Sequence, residues 1–107
     1  PRHLEPAFLV AYRAGRELFE VAAAVREVER ELLHAEQRLA AVREDLDAAQ
    51  AELIRDGVPT ERRATLLTQV YELSRRQGSL ENDIVRLRVE LDRREAHLAD
   101  TRNGSDW

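Results

Sequence analysis

The chain has 107 residues, 36% of them charged and only 5% aromatic, with a formal net charge of -4. That length allows one domain, and a composition dominated by Ala, Leu, Glu and Arg points to long helices and away from a sheet. The absence of Cys excludes disulfides and thiolate metal sites, and the acidic balance argues against nucleic acid, which selects a basic face.

Apolar residues recur at Leu4, Ala7, Ala11, Ala14, Leu18, Val21, Val25, Val28, Leu32, Ala35, Leu39, Val42, Leu46, Ala49 and Leu53. The spacing alternates three and four without a break, the heptad period that keeps one stripe of a helix against a partner. With Leu4 as position a, the a row is mostly Leu and the d row is Ala or Val. Pro6 suits a first helical turn, where its missing N–H costs nothing. The pattern predicts a helix over about 6–56. Gly57 then supplies the left-handed conformation that ends a helix, and Pro59 cannot continue the hydrogen-bond ladder. A turn over 57–59 follows. Thr60 is placed to cap a second helix, with Glu61 favourable at the start of its dipole.

The second helix, about 60–102, carries the stripe Leu66, Val70, Leu73, Gln77, Leu80, Ile84, Leu87, Leu91, Arg94 and Leu98. Asn103-Gly104 reads as its stop, and 103–107 as a flexible tail. Folding about the Pro59–Thr60 bond sets a positions of one helix opposite d positions of the other. Leu53 then meets Leu66, Ala49 meets Val70, Leu46 meets Leu73, and so on to Val21 and Leu98. Small residues meet larger ones, as even packing requires. Flanking pairs such as Arg38–Asp83, Asp45–Arg76 and Glu29–Arg88 are complementary, whereas Glu31–Glu90 and Glu36–Glu81 are not. The expected fold is all-α, an antiparallel two-helix coiled-coil hairpin over residues 1–102, able to dimerise into a four-helix bundle. A domain-swapped dimer uses the same layers.

Some features exceed what a self-contained hairpin needs. With the second helix reaching back to Val21, the opening turns of the first overhang it and carry Phe8, Leu9, Val10, Tyr12 and Phe19. Phe8, Tyr12 and Phe19 project roughly together, and Leu33 and Ala40 continue that outer stripe past Arg26. An open apolar patch of this kind marks a binding surface, and Phe8, Tyr12, Phe19 and Leu33 are its candidate residues. The partner is a second copy, meeting at the aromatic end, or another protein or domain. Gln77 and Arg94 fall in the core stripe. Arg94 is expected to snorkel toward Glu29 or Glu90, while Gln77 either reaches solvent or specifies register. Gly78 softens the second helix locally.

The residues offer no catalytic constellation. His3, His34 and His97 lack metal-ligand spacing, the glycines at 15, 57, 78 and 104 are dispersed, and the carboxylates lie on solvated stripes. An enzyme and a cofactor are therefore not expected. All 17 basic residues are Arg, the usage of a GC-rich coding sequence. No apolar run reaches the roughly 18 residues that span a bilayer, so direct membrane insertion is not expected. A start at Pro1 without Met reads as a processed or trimmed chain.

The opening run from Leu4 to Glu20, with Leu4-Glu5, Ala7-Phe8-Leu9, Tyr12 and Gly15-Arg16, resembles a segment in a family of small bacterial lipoproteins of unknown function. There it opens a C-terminal coiled coil, after a lipobox and short Tyr/Gly repeats. Thr60-Glu61-Arg62-Arg63 falls where that family turns between its two helices. The resemblance implies a non-catalytic, periplasmic part of an envelope protein on the outer membrane, with a lipid anchor upstream and an envelope protein or domain as partner. It implies no site residue. The alternative is a cytoplasmic coiled-coil dimerisation or adaptor segment of a larger protein.

Overall fold

The structure, a computed structural model, describes residues 4–105, and the side chains of residues 7–104. Two helices account for its regular structure, α1 (Leu4–Leu53) and α2 (Thr60–Ser105). Ala, Leu, Glu and Arg are strong helix formers, and no Pro follows Pro6 until Pro59, so α1 runs for 50 residues. Pro6 falls in its first turn, while the side chain of Leu4 lies outside the described ones. So do the expectations placed on His3 and on the tail residues Asp106 and Trp107.

The ends differ from the sequence reading. α1 stops at Leu53, three residues before Asp56. There the Ile54 N–H still donates to the Gln50 carbonyl at 3.3 Å, but the Arg55 N–H shifts to that of Glu52 at 3.2 Å. The ladder tightens and runs out, and Gly57 reverses the chain with φ at +79°. The Pro59 carbonyl accepts from the Arg63 N–H at 2.9 Å. Pro59 therefore holds the capping position expected of Thr60, which is the first residue of α2. At the far end α2 continues through Asn103 and Gly104 to Ser105. Their helix propensities are poor, by at most about 1 kcal/mol each, and that does not stop a helix already in progress.

The chain divides into two compact units. The first comprises residues 32–86 and contains the turn. Its α1 and α2 segments pack antiparallel, burying Ala35, Leu39, Leu46 and Ala49 from α1 against Leu66, Leu80 and Ile84 from α2. Every one of these belongs to the expected stripes. Leu66 is 1% exposed, the deepest of them, directly behind the turn. Ion pairs cross between the helices diagonally to that register. Glu52 accepts two bonds from Arg62, at 3.0 Å from Nε and 2.8 Å from Nη2, linking the two helices where they meet the turn. Arg43, which follows Val42, donates to Glu81, which follows Leu80, at 3.3 Å. Expected partners shift locally, since Asp83 accepts from Arg86 in its own helix at 3.2 Å.

The second unit comprises, among the described residues, 4–31 and 87–105. Within it α1 buries Val21, Val25 and Val28, whereas Leu87, Leu91, Arg94 and Leu98 of α2 are half-buried. Pairing extends beyond the Val21–Leu98 layer. Leu18, Ala14 and Thr101 are half-buried, and Ala14 shares a groove with Thr101 and Gly104. The unpaired opening of α1 is accordingly shorter than the sequence suggested and ends near Arg13.

Candidate association surfaces

Core positions that carry polar groups are resolved locally. Gln77 is half-buried, and its Nε2 donates to Glu81 Oε1 at 3.0 Å, the same oxygen that Arg43 reaches from α1. The amide leaves the seam to join an ion pair that crosses between the helices. Arg94 leans out likewise, its Nε donating to Glu90 Oε1 at 2.8 Å, while Arg93 donates to the other oxygen at 2.5 Å. Of its two expected partners, Glu90 is the one engaged. Among the described residues no buried side-chain nitrogen or oxygen lacks a hydrogen bond.

These contacts shift the acids. Hydrogen bonding to Arg62 holds the Glu52 carboxyl below the usual carboxylate range, and the Arg62 guanidinium moves up in return. Glu90 is lowered by its bonds to Arg93 and Arg94. All of these groups lie at the solvent boundary, where ion pairs contribute little to stability.

The side chains proposed for binding are open to solvent: Phe8 is 70% exposed, Tyr12 59%, Phe19 67% and Leu33 56%. They do not form one surface. Phe8 and Tyr12, one turn apart, lie in the unpaired opening of α1 with exposed Leu9 and Val10. Phe19 lies beside the paired part, and the Arg26 guanidinium sits 6.0 Å from its ring centroid. Arg26 therefore tops the aromatic ring rather than merely interrupting an apolar row, at the outer limit of a cation–π contact. Leu33 belongs to the other unit.

In that unit, residues 32–86, the two sides of the helix pair differ. One side bears grooves between the helices lined by charged side chains, among them Asp45, Glu52, Arg62 and Arg76, and further along Arg38 and Asp83. Small Ala41, Ala48 and Ser79 open these grooves. The side that carries the Arg43–Glu81 pair is the apolar one. From α1 it presents Leu33, Ala40 and Ile54, all b positions, and from α2 Leu67, Tyr71 and Val85. Ile54 is 85% exposed. Of these residues, Ile54, Leu67, Tyr71 and Val85 escaped the sequence reading. Their signal was spacing by multiples of seven, from Leu33 and Ala40 to Ile54 and from Tyr71 to Val85, one step beside the core stripe.

No set of His, Cys, Asp and Glu among the described residues is arranged to hold a metal ion. His97 lines the groove with Glu17 and Asp100, and His34 stands exposed. No described helix is long and apolar enough to cross a membrane. Comparison with protein-family models, with curated proteins and with solved structures finds no match.

Proposed function

We propose that this chain is a non-catalytic structural and protein-interaction module. The observation that carries this reading is the aromatic opening of α1. Phe8 and Tyr12 stand in solvent beyond the reach of α2, beside Leu9 and Val10, where no packing role within the described chain accounts for them. Large apolar side chains grouped at one end of a helix are a docking surface in search of a partner. Another envelope protein or domain meets the chain there. The likeness of the Leu4–Glu20 run to bacterial lipoproteins supports placing the module on the periplasmic side of an outer membrane, behind a lipid anchor. A cytoplasmic adaptor segment is the competing assignment, and the full-length gene separates the two, by a lipobox Cys after a signal peptide or by its lack.

The test uses a Phe8→Ala/Tyr12→Ala variant. Circular dichroism should remain that of the unaltered hairpin, while co-purification of partner proteins from the native envelope falls at least tenfold. Unchanged co-purification would remove the aromatic end from the reading.

A further inference from the structure

From the apolar side of residues 32–86 we infer that a second copy of this chain packs there, antiparallel, about a two-fold axis crossing the hairpin near Ser74 and Arg43. This goes beyond the reading above, which concerns the aromatic end, and it assigns self-association to a different surface.

The first argument is shape. Tyr71 and Gly78 lie seven residues apart on one row of α2, both on the apolar side. Tyr71 is a projecting ring. Gly78 is a gap, since a Cβ built there meets nothing within 4 Å. Nothing inside the chain needs glycine at this position, and in mid-helix it costs stability relative to Ala. An antiparallel copy sets each Tyr71 over the other's Gly78, a knob facing a hole twice over. The midpoint of Tyr71 and Gly78 lies between Ser74 and Arg75. On α1, Leu33 and Ile54 meet each other's counterparts about a midpoint between Arg43 and Glu44. The hairpin register places those residues opposite Arg76 and Arg75, so the two midpoints agree to about one residue, roughly 1.5 Å along a helix. A two-fold interface demands this self-complementarity. In a parallel arrangement Tyr71 would instead face the partner's Asp47, leaving Gly78 over Ala40 with nothing to fill the space.

The second argument is charge. Asp47 shares the b row with Leu33, Ala40 and Ile54 and has no ion-pair partner among the described residues. The antiparallel axis brings it within about one turn of the partner's Arg43, whose own contact is Glu81. Area agrees as well. Leu33, Ile54, Leu67, Tyr71 and Val85 supply roughly 60–120 Å² each on burial, or about 300–600 Å² per copy. A standard interface buries about 800 Å² per partner, a little over half of it apolar.

The test compares the unaltered chain with Gly78→Leu, Tyr71→Ala and Phe8→Ala/Tyr12→Ala by sedimentation equilibrium. Gly78→Leu fills the hole with a better helix former, and its Cβ meets nothing within 4 Å in its own chain, so circular dichroism should show it folded. Its dimer should be at least tenfold weaker, that of Tyr71→Ala weakened too, and that of the Phe8/Tyr12 variant unchanged. The chain lacks Cys, so single cysteines report orientation cleanly. Ser74→Cys should cross-link between copies under mild oxidation, and Asp56→Cys at the turn should not. A Gly78→Leu chain that dimerises normally overturns the inference, as does cross-linking through residue 56 in place of 74. Loss of the dimer only in the Phe8/Tyr12 variant overturns it in favour of the aromatic end, and a chain monomeric throughout overturns it while leaving a different protein as the occupant of that end.

Discussion

Glu52 and Arg62 sit where the two helices leave the turn, and their paired hydrogen bonds make a bidentate ion pair between the helices. A carboxylate whose folded pKa lies below its unfolded value contributes stability that is whole above the ordinary Glu range of about 4.3. That contribution disappears as pH falls through the depressed folded value. Glu90, lowered by Arg93 and Arg94, behaves in the same sense. The urea midpoint of the hairpin should accordingly be flat near neutrality and decline below about pH 4, with Glu52→Gln showing a shallower decline. A variant with the same acid limb as the unaltered chain would show that the pair does not couple to folding. Arg94 and Gln77 belong to the same scale: a long polar side chain occupies a core position by sending its head to a carboxylate one turn away, so neither interrupts the seam.

Along each helix, the contrast between adjacent residues is the measure of the heptad. Leu66 is 1% exposed, whereas Leu67 stands in solvent. Leu66→Ala should destabilise the hairpin by about 2–5 kcal/mol and Leu67→Ala by under about 0.5, read from chemical denaturation of dilute protein. Comparable losses at both positions would mean the stripe is misplaced. The stripe itself was legible in the sequence because a sustained period is a property of many residues, and Val21, Val25, Ala35, Leu39, Ala49, Leu66 and Ile84 were found buried where it put them. Helix ends depend on a few residues, and only the start of α2, at Thr60, falls where it was expected. α1 ends at Leu53 rather than Asp56, the capping position is held by Pro59 rather than Thr60, and Asn103-Gly104 did not halt α2. Pairing also runs past the Val21–Leu98 layer and takes Phe19 out of the unpaired opening, which is a tertiary consequence no local motif contains. The apolar side formed by Ile54, Leu67, Tyr71 and Val85 went unread because it exists only once two helices lie side by side, each giving half.

For the whole molecule, the two units differ in what they bury. In residues 32–86 both helices contribute buried Leu or Ile, whereas in the other unit the buried side chains are valines of α1, met by half-buried residues of α2. Local opening follows buried apolar contact. Amide hydrogen exchange should therefore be slowest around Leu39, Leu46, Leu66 and Leu80 and faster over 87–105, and equal protection throughout would contradict this ranking. The turn has a consequence of its own. The layers that close the hairpin can equally be made between two chains, so the seam does not decide which helix is its partner. The six residues from Ile54 to Pro59 do, by tethering α2 to α1 at an effective concentration on the order of millimolar. At the far lower concentrations of most proteins, each helix finds its own chain first, and the hairpin reaches any further partner already closed.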